Sequence, residues 1–532
     1  MWNAVEMAGE WLLLDACWGA GTVDLQKAIF LPSYDDFFFL TAPEEFIETH
    51  WPDDPSWQLL ERPVSFKDFQ QKIFKTSEFF RLSLTVTTPE AFYLTTEDGE
   101  VKVSLSYQYP MEFSYKIYKL SNDSRIFVEK TFGILTNQES CMTLRVFPPM
   151  DGQYELMVFA RPTGTTAPYK WVCSYHIDCP QPKSSLALPE NPFHFWGLHQ
   201  TGKDLGVTSC NPGEDLIVSE TSPLNIIFKT SRALMATFQL AHQEMAEPFS
   251  KKCLVSQIEE TQLRCKVLLP FHGYYRLSLF VKKLEGEHFQ NVSNMLINCR
   301  NPVNHNELFP LNLSTHCGPG TNTRQHGLTS PSHTSPVIST RTGKCRITFC
   351  TLWDLEVFTV LENGRETKSL CPLDRYCLLT QVEQKICLTV HLPEAGQYKL
   401  SIFTKPQRAQ EFSHACDYVI RCHSNQGLPP FPNVYGAWRR GCLLLQPQAG
   451  LLPAESWENF RVKIPGACKV LVIGPVKTEL QLTKSTVWEG KVFTGTAGSL
   501  IKLAVKFSSN SAEMDIVMSF KTQKTRLDTS SG

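Results

Sequence analysis

One segment that occurs three times constrains this chain more than any other feature. Pro149, Gly152, Tyr154, Leu156, Val158 and Phe159 return as Pro270, Gly273, Tyr275, Leu277, Leu279 and Phe280. They return again as Pro393, Gly396, Tyr398, Leu400, Ile402 and Phe403. The glycines are 121 and then 123 residues apart. Glycine lets the backbone turn sharply, after which Tyr, Leu and an aliphatic residue alternate onto one face of a strand. Each segment follows an alternating apolar strand (Leu144/Val146, Val267/Leu269, Leu388/Val390/Leu392). Each precedes another strand, which ends in Cys179, Cys299 or Cys422. A period of this length is one domain repeated.

The earlier half of each unit repeats more loosely, as alternating strands at Val101–Tyr107, Leu224–Phe228 and Cys345–Phe349. Aromatic strands follow at Phe113–Tyr118, Met235–Leu240 and Leu355–Val360. The Tyr motif resembles the tyrosine corner of immunoglobulin-like sandwiches, where a Tyr stands two residues before the inter-sheet Cys. Here Leu156, Leu277 and Leu400 hold that Cys position, so core packing replaces the disulfide. The competing reading is an unrelated β-meander. A fourth unit begins near Val434, with strands at Trp457–Ile464, Val470–Ile473 and Ile501–Phe507. It lacks the Gly-x-Tyr-x-Leu signature and reads as a divergent terminal repeat.

The fold expected is mainly β: a partial α+β domain over residues 1–62, then four immunoglobulin-like β-sandwiches at 63–181, 190–300, 304–424 and 431–524. Proline-bearing linkers separate them, at Pro180–Pro192, Asn301-Pro302 and Gly427–Pro432. Gly318–Gly343 is rich in Ser, Thr, Gly and Pro and reads as a mobile insertion inside the third unit; Ser330-Pro331 and Ser335-Pro336 there are candidate phosphorylation sites, but the favoured reading is an unmodified loop. Lys524–Gly532 reads as a frayed tail.

Composition removes several function classes. With 42% hydrophobic and 20% charged residues the chain is expected to fold, and its net charge of −2 gives no reason to expect nucleic acid or anionic membrane as a partner. No stretch has the charge and apolar layout of a secretory leader or a membrane span, so the chain reads as soluble and intracellular. The N-x-[ST] sites at Asn122, Asn291 and Asn312 then carry no meaning, and the 18 cysteines read as free thiols. His414, Cys416, Cys422 and His423 look metal-like as a group, but adjacent residues on a strand point apart, so no metal or other cofactor is expected.

The first 62 residues carry the chemistry. Two apolar runs flank the turn Ala8-Gly9-Glu10, and the second leads into Asp15 and a Trp18-Gly19 turn. Phe37–Leu40 followed by Thr41-Ala42-Pro43-Glu44-Glu45 reads as a strand then a short helix, and Trp51-Pro52-Asp53-Asp54-Pro55 as a boundary. The pattern W-N-x-V, a turn, then W-x-x-x-D-x-x-W-G resembles the transglutaminase-like cysteine peptidase superfamily. Phe38-Phe39-Leu40-Thr41 and His50-Trp51-Pro52-Asp53 extend the resemblance to its kyphoscoliosis peptidase family.

That resemblance implies a Cys–His–Asp triad of which Asp15 is the acid. It places the family's His immediately before Met1 and its Cys further upstream, and this chain has Cys17 where the family usually has Thr. A thiol needs a neighbouring imidazole to become a thiolate, and the carboxylate only orients that imidazole. On spacing alone Asp15 instead satisfies turn amides. Cys17 as a replacement nucleophile is weak, because it reads as lying at a strand end rather than at a helix N-terminus.

Two functions are therefore expected. The first is a protein-binding scaffold without the catalytic Cys and His. For it the resemblance implies a muscle cytoskeletal setting in the cytoplasm, at the sarcomeric Z-disc, with filamin-like partners. The second is a transglutaminase-like cysteine peptidase whose catalytic N-terminal part is missing from this sequence. Both expect a first segment with an incomplete core, the least stable part of the chain.

Overall fold

A computed structural model describes residues 3–24, 28–121, 124–128, 132–138, 140–183, 188–211, 216–364, 372–484, 486–510 and 513–524. Asn122 and nearly all of the expected frayed tail lie outside the described residues. The chain is mainly β, and its repeats are four two-sheet sandwiches in a row.

The third unit shows the plan. One sheet runs Leu328–Thr329, Lys344–Thr351, Lys385–His391, Cys377–Val382. The other runs Val337–Thr340, Ser413–Cys422, Gly396–Pro406, Leu355–Asn363. Val337–Thr340 lies parallel to Ser413–Cys422 while its neighbours are antiparallel. The same parallel entry strand recurs at Tyr93–Thr95, Leu216–Ser219 and Leu451–Pro453.

The repeated motif forms the centre of each unit. Tyr154, Tyr275 and Tyr398 are fully buried, and Leu156, Leu277 and Leu400 are at most 1% exposed. Each Tyr hydroxyl donates to a carbonyl four residues earlier: Met150 at 2.8 Å, Phe271 at 2.9 Å and Glu394 at 3.0 Å. These are three equivalent tyrosine corners, each hydroxyl satisfied beside the turn that its glycine makes. All three strands bulge at the same place, between Val158/Phe159, Leu279/Phe280 and Ile402/Phe403.

The fourth unit bulges between Leu503 and Ala504 on its strand Leu500–Lys506. Aligning the bulges puts Ser499, Ile501 and Leu503 where the others have Tyr, Leu and an aliphatic residue. Ile501 and Leu503 are fully buried. The core pattern survives there, and only the corner is lost.

Gly318–Gly343 is not a mobile insertion. It contains a helix, Thr321–Gln325, and the strands Leu328–Thr329 and Val337–Thr340 that begin the third sandwich. Asn322 donates to the carbonyls of His414 and Ala415 at 3.0 and 2.9 Å, fixing the helix to the sheet. Small polar residues dominate because the segment is a series of tight, capped turns.

The joints between sandwiches are buried. Ile134, Phe147, Leu188, Trp196 and Leu296 form a core between the first and second units. Val419 of the third unit packs into the core of the second, with Leu308, Phe309 and Cys317 from the connecting segment. Leu378 of the third unit packs into the core of the fourth, where the Trp438 indole donates to the Leu379 carbonyl at 2.8 Å.

The first segment is built otherwise. Asn3–Met7 and Glu10–Leu14 form a hairpin whose turn, Ala8-Gly9, has both residues at positive φ, as a tight two-residue turn requires. Phe39–Thr41 adds a third strand, and Pro43–Phe46 is a one-turn helix. Phe37 stacks on Phe80 at 5.1 Å, Trp51 packs against Phe66 and Phe69, and Glu48 pairs with Lys72 and Lys75 at 3.0 Å, tying the segment to the first sandwich.

Candidate functional site

Asp15 directly follows the strand Glu10–Leu14 and is 3% exposed. Its amide donates to the Phe38 carbonyl at 2.9 Å, so the short turn Asp36–Phe38 that leads into the third strand positions it. One carboxylate oxygen, Oδ1, accepts from the amides of Cys17 at 2.7 Å and Trp18 at 2.9 Å. The turn-amide role open to Asp15 on spacing is present.

Its other oxygen meets an imidazole within this chain. His50 Nε2 lies 3.1 Å from Asp15 Oδ2, and His50 Nδ1 lies 2.8 Å from the Thr49 hydroxyl. The ring is stacked on Phe46 at 4.1 Å and tilted against Trp18 at 4.7 Å. Burial lowers the His50 pKa, outweighing the hydrogen bond and charge of Asp15, which favour the imidazolium. Burial opposes ionisation of Asp15, but the Trp18 and Cys17 amides and His50 outweigh it and hold the carboxyl below the ordinary range. The pair is a carboxylate accepting from the Nε2–H of the imidazole, with the Thr49 hydroxyl beside Nδ1 and also donating to the Phe46 carbonyl at 3.4 Å.

This arrangement limits what the pair can do. Both ring nitrogens of His50 are engaged, so neither is placed to take a thiol proton. Asp15 has three of about four acceptor positions filled, leaving one on Oδ2. Cys17 is exposed and does not sit at a strand end: the strand stops at Leu14, and Cys17 precedes the three-residue 3-10 turn Trp18–Ala20.

His50 was visible in the run His50-Trp51-Pro52-Asp53, but its partner lies 35 residues away. Nothing in the local pattern links the two, and the resemblance directs attention to a different imidazole.

A second buried polar cluster sits in the third unit. Asp417, 1% exposed, accepts from the Ser314 amide, the Ser401 hydroxyl and the His414 ring, each at 2.7 Å. Burial opposes its ionisation, but those three bonds keep its carboxyl below the ordinary range. In the second unit Asn294 holds the same place, accepting from the Ser278 hydroxyl at 2.7 Å. Asp417 thus takes His414 out of the metal-like group named above, and Cys416 is fully buried. Among the described residues no group of three or more His, Cys, Asp or Glu is arranged to hold a metal ion. No helix among them is long and apolar enough to cross a membrane.

Comparison with known proteins bears on the whole arrangement. A family described as "KY-like, immunoglobulin-like domain" matches residues 66–190, 203–310 and 324–433. Kyphoscoliosis peptidase of Mus musculus is 25% identical over 495 residues, covering 93% of this chain and 55% of the relative, and the Homo sapiens protein matches to the same extent. Hillarin of Drosophila melanogaster is 27% identical over 317 residues, covering 54% of this chain and 38% of its own length. The chain spans about half the length of the kyphoscoliosis peptidases it matches.

Proposed function

Because this chain belongs to the KY-like, immunoglobulin-like domain family, we propose that it acts as a protein-binding scaffold of the muscle cytoskeleton. The observation that carries this reading is the continuous burial across all three joints between sandwiches. Buried joints hold sheet edges and loops at fixed spacing, which suits a protein that positions partners rather than one that tethers them loosely. The partners are cytoskeletal or sarcomeric and filamin-like, and the location is the cytoplasmic Z-disc. Resemblance to the kyphoscoliosis peptidases supports both assignments. In this role the chain works without Cys–His–Asp chemistry, and Asp15 with His50 serves as a structural pair.

A second reading is favoured by one observation: Asp15 is ionised, buried and has an acceptor position open on Oδ2. There it orients the imidazole of a transglutaminase-like cysteine peptidase. The scaffold reading is tested by incubating the 532-residue chain with filamin fragments and casein. The scaffold reading expects saturable filamin binding and no cleavage. Thiol-sensitive cleavage abolished by Cys17→Ser would overturn it and make Cys17 the nucleophile.

A further inference from the structure

A crevice of about 330 Å³ lies where the second and third sandwiches meet. The second unit contributes Arg264 and Lys266 on one strand, with Asn225 and Gln257 beside them, and the third contributes Thr334, Ser335 and Pro336. Lys266 is paired with a neutral group, and Arg264 with a neutral group and a carboxylate. Lys266 Nζ donates to the Asn225 side-chain oxygen at 3.0 Å, and Arg264 donates to the Gln262 side-chain oxygen at 2.9 and 2.6 Å. The Glu259 carboxylate stands 3.8 Å from Arg264. Arg421 lies behind the residues that line the crevice, close enough for its charge to act on Lys266; its Nη2 donates to the Glu307 carbonyl at 3.3 Å, and the Glu307 charge acts on it in turn. Burial above all, and then the charges of Arg421 and Arg264, lower the pKa of Lys266.

The loop facing these cations is held in place. Gln257 donates to the Thr334 carbonyl at 2.8 Å, Tyr418 to the His333 carbonyl at 2.8 Å, and the Val419 amide to the Pro336 carbonyl at 2.9 Å. Ser335 is exposed between these anchors, and its hydroxyl bonds only within its own loop, to Val337. A hydroxyl followed by proline, displayed at the rim of a crevice that Arg264 and Lys266 also line, is suited to carry a phosphate between the two units.

We propose that Ser335 is a phosphorylation site for a proline-directed protein kinase, and that Arg264 and Lys266 receive the phosphate and clamp the joint between the second and third sandwiches. In the transfer, Ser335 Oγ forms a bond to the γ-phosphorus of a nucleoside triphosphate. The bond from that phosphorus to the β,γ-bridging oxygen breaks, the nucleoside diphosphate leaves, and the hydroxyl proton passes to the kinase's base. Ser222 and Ser330, the other serines before proline, lie outside the residues lining this crevice.

The test uses the full chain in two arms. In the first, a proline-directed kinase with Mg-ATP treats the wild type, Ser335→Ala and Ser330→Ala, and intact mass with peptide mapping locates the phosphate. Phosphate on Ser335 supports the proposal, and modification of Ser330 alone or of neither overturns it. In the second, phosphoserine is installed at 335 during translation and titrated by phosphorus NMR. The expected second pKa lies at least about half a unit below the ordinary value near 6, and Arg264→Gln with Lys266→Gln restores it. An ordinary pKa, indifferent to those substitutions, overturns the clamp. If inorganic phosphate stabilises the unmodified chain as strongly as the installed group does, the crevice is a free-anion site and the modification reading fails.

Discussion

The first 62 residues and the sandwiches behind them place their apolar side chains in opposite ways. Among the described residues of the first segment, Leu13, Phe38, Phe46 and Ile47 are buried hydrophobics. Val5, Met7, Trp11, Trp18, Val23, Ile29, Phe30, Leu31, Tyr34, Phe39 and Trp57 are exposed. None of the five core clusters contains a residue before Ile73. The sandwiches bury the corner Tyr and Leu of every motif copy almost completely. A sandwich closes its own core because two sheets face each other. The first segment offers a small three-stranded sheet and a separate hairpin, Gly21–Asp24 with Ile29–Pro32, with little set against either. The difference shows that strand pairing alone makes a surface, and that a second layer makes a core.

The largest effect should follow from attacking that contrast at equal side-chain size. Leu400→Ala removes a fully buried side chain from the third core and should cost about 2–5 kcal/mol. Leu31→Ala, at a position 46% exposed, should stay within about 0.5 kcal/mol. Urea unfolding of the full chain, followed by proteolysis mapped to each unit, measures both. A similar cost for the two substitutions would mean that the first hairpin is covered in solution.

The same contrast decides what was legible in the sequence. Gly396, Tyr398 and Leu400 announce a turn, a corner and a core because each does one local job with one side chain. Repetition at fixed spacing then turns three local readings into a fold. The loss of the corner at Ser499 hid the fourth unit's motif while leaving its core residues in place. Asp15 was legible through its neighbours Trp11 and Trp18, but His50 was not, since the bond between them depends on how the strand Phe39–Thr41 and the helix Pro43–Phe46 return to the hairpin. The segment Gly318–Gly343 misled for the opposite reason. Its composition matches a mobile loop, while its order comes from Asn322 and Thr323 docking on a distant strand. The joints escaped too, because burial of Val419 beside Cys317 is a fact about two units at once.

A smaller effect is expected at the joint between the second and third units. Asp417→Ala leaves the Ser314 amide, the Ser401 hydroxyl and His414 without their acceptor and should cost about 1–3 kcal/mol, read as faster hydrogen exchange at Ser314–Gly318. Asp417→Asn should restore only part of this, since one amide face presents N–H groups to donors. The sign of the pH dependence follows from the depressed carboxyl. Its contribution is complete above the unfolded value near 4 and is lost as the pH falls through the lower folded value. The second unit, with neutral Asn294 at that place, should show no such acid step at its own site.

Removing residues 1–62 sharpens the comparison further, with a still smaller effect on what remains. Residues 63–524 should unfold cooperatively and resist proteolysis, because each sandwich keeps its own core. The change should be confined to the first unit, where Phe80 loses the Phe37 ring and Arg81 loses the carboxylates of Asp35 and Asp36. Circular dichroism and proteolysis decide it, and loss of cooperative unfolding throughout the array would show that the first segment supports more than its neighbour.

The smallest expected effect lies within the first segment, at His50. Its pKa is lowered in the folded state, chiefly by burial, so the unfolded chain binds the proton more readily. Stability from the neutral imidazole is therefore full above the unfolded value of about 6.5 and declines as the pH falls below it. Buried His391 and the half-buried His199 and His316 shift in the same direction within the sandwiches, so a global melting curve would mix all four. The amides of Cys17 and Trp18 are a local reporter, because both donate to the carboxylate that His50 holds. Their hydrogen exchange, corrected for its intrinsic pH dependence, should quicken between pH 7 and 5 while the Tyr398 amide stays protected. In His50→Gln, which can still donate to Asp15 but does not titrate, that step should vanish. If the quickening persists in His50→Gln, protonation of His50 is not its cause, and the first segment loosens in acid for reasons outside the Asp15–His50 pair.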